Sequence, residues 1–346
     1  MKHTLTGKLS GLLLGAALLL GACSQGASAG QNGGAAQPQA LAPTDQTAGA
    51  DGAQGTADPN HPVIKFGATS GDFADQIKDG IKPILEKQGY KVELTEFTDY
   101  VRPNLALDEG SIDVNVFQHL PYLNEFKATR KLNLSELVEV PTAPFGVYAG
   151  KLKSLDNAPD GASVGVPNDP SNLARSLVIL KDLGWIELDS AIDPLTVSVK
   201  DIKSNKKNLK LIELEAAQLP RSRDDVDFAM INGNYAVSAG IPLTDALLIE
   251  PSFAFINWAV VKTENLDAQW AQDVKKAYES DAFQQYANKT FPGYKFPSFW
   301  KPVEGGAQPS PANDGANAEG GEKAETAAPE APAAETPAAE TAPAHP

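Results

Sequence analysis

Residues 163–183, SVGVPNDPSNLARSLVILKDL, read as a short strand over 163–166, a polar loop, and a helix over 171–183. Strand, loop and helix in that order are the repeating unit of an α/β protein. The same alternation extends in both directions. Upstream, 63–68 is a short apolar strand. In 72–88, Phe73, Ile77, Ile81, Ile84 and Leu85 share one helical face, Pro83 predicts a kink and Gly89 a stop. Residues 91–97 alternate like a strand, Asp99 can cap a helix through Leu105 and Leu107, 113–117 is a strand and 121–127 a helix. Downstream, strands are predicted near 195–199, 209–214, 226–231 and 255–261, with one helix over 269–287. Strands separated by helices predict largely parallel sheets covered by helices on both faces. These strands are too many for one modest sheet, so two α/β lobes are expected, a late strand returning to the first. No run within 61–301 is long enough to cross a membrane.

The ends cannot join a core. The chain has 346 residues, 42 % apolar and 21 % charged, with 29 Lys+Arg against 44 Asp+Glu and a net charge of −15. Residues 24–60 are mostly Gly, Ala, Gln, Ser and Pro without an aromatic, and are expected to be a flexible tether spanning ~30–35 Å. Residues 302–346 form a Pro/Ala/Glu tail expected to be disordered, and it holds much of the negative charge. The mildly acidic body between them has no basic field for a phosphate backbone, so no nucleic-acid partner is expected. Two lysines and then an apolar run over 11–21 have the pattern of a secretory leader, residues 1–22. The leader ends in Leu20-Gly21-Ala22-Cys23, which resembles the lipobox of bacterial lipoproteins. That resemblance implies cleavage before Cys23, the sole cysteine, a diacylglycerol on its thiol and a palmitate-like chain on the new amine. The mature chain would be lipid-anchored in the bacterial cell envelope.

Little catalytic chemistry is available. The histidines are His3, His61, His119 and His345, and only His119 lies well inside the body. A His-rich zinc site and an H-E-x-x-H protease are therefore excluded. No phosphate-binding loop or dinucleotide fingerprint occurs. The expectation is a protein that is not an enzyme, with no catalytic residue, metal or cofactor.

Binding chemistry is better represented. Five stretches place polar and aromatic residues at strand ends: 99–104, 117–122, 166–175, 231–235 and 255–258. In open α/β sheets ligands sit beyond the carboxyl ends of strands. Arg175 can take a carboxylate through two parallel hydrogen bonds, aided by the nearby helix N-terminus. Asn232 and Asn257 can offer neutral oxygens to an ammonium. Tyr100, Phe117, His119 and Tyr122 can wall an apolar slot, and a neutral His119 could donate weakly to a sulfur. Asn168, Asn172 and Asn234 read as helix caps. The set suits a zwitterion with an apolar or thioether side chain.

The stretches DYVRPNLAL, DVNVFQHLPYLNEF, VGVPNDPSNLARSL, NLKLIELEAAQLPRSRDDVD and INGNYA resemble the methionine-binding lipoproteins of the NlpA type, nearly end to end over 61–301. The resemblance implies a two-lobe periplasmic-binding-protein fold, lobe 1 from 61–143 plus 255–301 and lobe 2 from 144–254, closing on an amino acid. It implies a monomer that delivers methionine, L or D, to an ABC permease and its ATPase. It assigns the aromatic slot to Tyr100, Phe117, His119 and Tyr122, the carboxylate to Arg175, and the polar end to Asn232 and Asn257. Phe255 and Trp258 depart from the family pattern, as does the tail. The alternatives are a binder of another small apolar amino acid or a methionine-containing dipeptide, or an adhesin or scaffold that has lost transport.

Overall fold

The computed structural model describes residues 56–300, so the readings made for the leader, Cys23, nearly all of the tether and the tail fall outside the described residues. The described chain's first strand is β1 (Val63–Thr69), buried on both faces from Phe66 to Thr69, as a central parallel strand requires. Next, α1 (Asp72–Asp75), a π-helical segment (Gln76–Ile81) and α2 (Lys82–Lys87) wind as one rod. Its irregularity lies just before Pro83, which has no N–H for the helical ladder. The Lys82 N–H bonds Ile77 O, five residues back. Then come β2 (Lys91–Phe97), α3 (Arg102–Glu109), β3 (Val114–His119), α4 (Leu120–Arg130) and β4 (Leu134–Val140). Asp99 performs the expected cap, its Oδ1 accepting the N–H groups of Val101 and Arg102 ahead of α3.

A second series holds β5 (Gly146–Ala149), β6 (Ser163–Pro167), α5 (Pro170–Asp182), β7 (Ile186–Leu188), β8 (Ile202–Asn205) and β9 (Lys210–Leu214). It continues through α6 (Leu219–Ser222), β10 (Phe228–Ile231), α7 (Gly233–Ser238) and β11 (Ala246–Ile249). The chain closes with β12 (Asn257–Lys262), α8 (Gln269–Glu279) and α9 (Asp281–Thr290).

Two five-stranded sheets result, in the orders β2-β1-β3-β12-β4 and β11-β5-β10-β6-β9, beside a small β7-β8 ribbon. The late strand β12 returns to the first sheet, between β3 and β4. The expectation of largely parallel sheets holds for β2-β1-β3 and for β10-β6-β9; β12 and β5 instead run antiparallel to both neighbours. The reason is topological. β4 leads directly into β5 and β11 directly into β12, through crossings too short for the helix that a parallel return needs. The paired crossings continue the antiparallel pairing of β4 with β12 and of β5 with β11, so they join the sheets as one ribbon.

Each sheet has its own core. Phe66, Ile77, Val116, Tyr278 and Phe283 pack on the first; Val164, Leu177, Phe228 and Met230 pack within the second. Full burial of each such apolar side chain stabilises by about 1.5–3 kcal/mol.

Two local expectations are corrected. Residues 195–199 form turns instead of a strand, because side chains supply the backbone bonds there. Asp193 Oδ1 accepts the Leu195 N–H, and Asp201 Oδ2 accepts the Ser198 N–H. The single helix over 269–287 is broken at Ser280, whose extended backbone ends α8 and whose Oγ accepts the Phe283 N–H to start α9. The break seats Phe283 against Gly80, where an added Cβ would lie 2.7 Å from its ring.

Candidate functional site

The strand ends deliver their polar residues to one cavity between the two sheets. His119 is the last residue of β3, Asn232 follows β10, Asn257 opens β12, and Arg175 lies on α5 just beyond β6. Those four line a space with Tyr100, Phe117 and Tyr122, so every residue selected from sequence meets there. The void totals about 360 Å³, part of it open to solvent. Only about 20 Å³ of it admits the centre of a water-sized sphere, so the lining side chains stand close together across it.

One wall is aromatic. Tyr100, Phe117 and Tyr122 pack with ring centroids 5.7–5.9 Å apart. Their polar atoms are spent elsewhere: the Tyr122 hydroxyl donates to Tyr100 O, and the Tyr100 hydroxyl donates to Asn234 Oδ1 at 2.6 Å. The second of these joins the first sheet's side of the cavity to α7 on the other. Asn234 also donates to Thr69 Oγ1, so it bridges the cleft and does not act as the helix cap expected from sequence.

His119 departs from its expected role toward sulfur. It caps α4, with Nδ1 accepting the Tyr122 N–H at 3.2 Å, so the proton of the neutral ring sits on Nε2. That N–H donates to Asn172 Oδ1 at 3.2 Å, and both nitrogens are therefore occupied. Burial, helped by the charge on Arg175, pushes its pKa down to about 3. A buried base held neutral loses stability as the pH falls below 6.5, where the unfolded ring takes up a proton and the folded one does not, at about 1.4 kcal/mol per pH unit. Asp72 works the other way, because burial pushes its carboxyl up to about 7. Comparison with a variant isolates the histidine. His119→Asn, which keeps a capping acceptor, is expected to be less stable than the unaltered protein at neutral pH. Urea titrations should show that gap narrowing as the pH is lowered to about 5; a constant gap refutes a neutral buried His119.

Asn172 is the hub that the sequence reading missed. The cap of α5 is Asp169, whose Oδ1 accepts the Asn172 N–H, while Asn168 is exposed. The helix end expected to present free N–H groups thus already faces the protein's own carboxylate. Asn172 Nδ2 donates to both Asp169 oxygens, and its Oδ1 accepts from His119 and from Asn232 Nδ2 at 2.9 Å. This orients Asn232 so that its Oδ1 is buried with no hydrogen-bond partner. A buried carbonyl oxygen without a donor is costly in a finished core and useful in a site awaiting an N–H. Gly233 permits the placement: a Cβ there would lie 2.5 Å from the Ala143 carbonyl.

Arg175 also differs from expectation. Its Nε and Nη2 donate to Glu250 Oε1 and Oε2 at 2.6 and 2.5 Å, so that fork is already taken. Any ligand carboxylate meets the remaining N–H groups. The guanidinium carbon sits 4.5 Å from the ring centres of both Phe145 and Phe255, which hold the plane between them. Asn257 is anchored through its backbone, its N–H donating to Thr142 Oγ1.

The NlpA lipoprotein family model matches residues 64–299. The D-methionine-binding lipoprotein MetQ of Salmonella typhi is 42 % identical over 244 residues, which are 69 % of this chain and 89 % of that one. The protein of the same name from Escherichia coli K12 is 41 % identical over 69 % of this chain and 89 % of its own. A nutrient binding protein from Burkholderia cenocepacia, solved bound to methionine, is 39 % identical with a TM-score of 0.64, covering 68 % of this chain and 100 % of that one.

Proposed function

The chain belongs to the NlpA lipoprotein family, and on that premise we propose that it is the substrate-binding component of an ABC importer, capturing methionine and passing it to a membrane permease and its ATPase. The observation that carries the reading is the pairing, in one cavity, of a buried arginine with the unpartnered Oδ1 of Asn232. Arg175 meets the α-carboxylate, Asn232 and Asn257 accept from the α-ammonium, and the rings of Tyr100, Phe117, His119 and Tyr122 enclose the thioether arm. Each sulfur–aromatic contact contributes about 0.3–1.5 kcal/mol. Lobe 1 comprises 61–143 plus 255–301 and lobe 2 comprises 144–254. The ribbon of crossings is the hinge, and ligand contacts to both lobes favour the closed form. The family's role is transport, so the cavity binds and releases without chemistry. The Leu20-Gly21-Ala22-Cys23 sequence supports lipid anchoring through Cys23 in the envelope, with the protein acting as a monomer.

The test is native mass spectrometry of the purified chain followed by calorimetric titration. Methionine is expected to co-purify, and L- or D-methionine to bind more tightly than leucine, norleucine or a methionine-containing dipeptide. A chain that binds none of these, or binds another amino acid best, refutes the assignment.

A further inference from the structure

Arg175 enters the cavity with its charge already matched. It and Glu250 are each 4 % exposed and doubly hydrogen-bonded, which makes a neutral buried pair. A neutral pair offers a further anion little compensation for leaving water. Lys295 changes the balance. It is buried too, its Nζ lies 3.4 Å from Glu250 Oε2, and it donates to Ser252 O. It follows α9 in sequence and is pinned by a two-way backbone bridge to Thr142, at 2.9 Å in each direction. Neither Glu250 nor Lys295 lines the cavity.

We propose that Glu250 and Lys295 are positioning residues that make the site selective for a carboxylate over its neutral amide. Glu250 fixes one edge of the guanidinium, leaving the opposite N–H groups for the ligand, and the stacked Phe145 and Phe255 prevent the plane from swinging away. Lys295 offsets the charge of Glu250. The trio of two cations and one anion keeps one positive charge, which a ligand carboxylate neutralises. With Lys295 neutral, the same carboxylate would leave the buried group with an excess of negative charge, an arrangement that low-dielectric surroundings penalise. This rests on the methionine-binding reading above and states how that site tells an acid from an amide.

The experiment is calorimetric titration of the full chain with methionine and with methioninamide, at a pH where both amines are protonated. Lys295→Gln keeps a donor for Ser252 and removes the charge. It is expected to weaken methionine about tenfold or more while changing methioninamide little, and Lys295→Arg should restore the wild-type ratio. Glu250→Gln alone should raise the ratio above wild type, because two positive charges then remain, and Glu250→Gln with Lys295→Gln should return it close to wild type, because the trio again keeps one positive charge. These two arms decide the matter even if the single lysine variant does not fold. A ratio that ignores every substitution, or that falls in Glu250→Gln, overturns this inference while leaving methionine binding intact. Failure of the unaltered chain to bind methionine overturns the proposed function with it.

Discussion

Arg175→Leu is expected to abolish measurable methionine binding and to destabilise the ligand-free protein as well. Two losses coincide. The ligand carboxylate would be buried with no direct cationic donor, since no other arginine and no lysine lines the cavity among the described residues. Truncating one member of a buried charge pair costs about 2–5 kcal/mol of affinity, or roughly thirtyfold to several thousandfold. Glu250, 4 % exposed, would also lose both guanidinium bonds, and removing one partner of a buried ion pair costs about 3–5 kcal/mol of stability. Arg175→Lys preserves charge but cannot serve Glu250 and a ligand at once, nor fill the space between Phe145 and Phe255 in the same way, so it should fall between. Calorimetry reports the first effect and urea unfolding the second. Affinity for Arg175→Leu within about threefold of wild type would remove the residue from ligand contact.

The second large effect is expected at Asn172, whose side chain ties Asp169, His119 and Asn232 together. Asn172→Leu conserves approximate volume and removes four side-chain hydrogen bonds, to Asp169, His119 and Asn232. The His119 and Asn232 donors would then be buried without acceptors, at about 1–3 kcal/mol each. That is a large share of a typical 5–15 kcal/mol total stability. Methionine affinity should fall about tenfold or more as well, because Asn232 loses the bond that aims its Oδ1. Equilibrium unfolding and calorimetry on the same preparation check both. Unchanged stability would mean that the network does not hold the cleft together.

The contrast between Arg175 and Asn172 shows what could be read in advance. An arginine after a strand–loop–helix junction is conspicuous because few buried environments tolerate one without an anion. The asparagine three residues earlier looked like a cap, since asparagine at a helix start usually bonds its own backbone. Asp169 took that task, and the freed amide turned toward residues 53 and 60 positions away. Glu250 and Lys295 gave no local signal at all: one follows an edge strand, the other lies beyond the last helix, and only the crossings bring them together. The same holds for the secondary structure. The strands β1, β3, β6 and β10 announced themselves by apolar runs, whereas β4, β5 and β11 are defined by the partners they meet in the two sheets. The turns at 189–201 prevailed over a strand-like run because aspartates supply backbone acceptors within a few residues.

The α/β class, the division into two lobes and the seven residues that converge on the cavity were all determined by local order. Apolar periodicity, turn residues and the rule that ligands sit at strand ends act over short stretches and need no knowledge of distant neighbours. Which atoms remain available to a ligand was decided only by tertiary structure. Hydrogen-bonding capacity is shared among groups far apart in the chain. Thus the occupied edge of Arg175, the spent nitrogens of His119 and the vacant oxygen of Asn232 exist only once β3, α5, β10 and the crossing ribbon have come together.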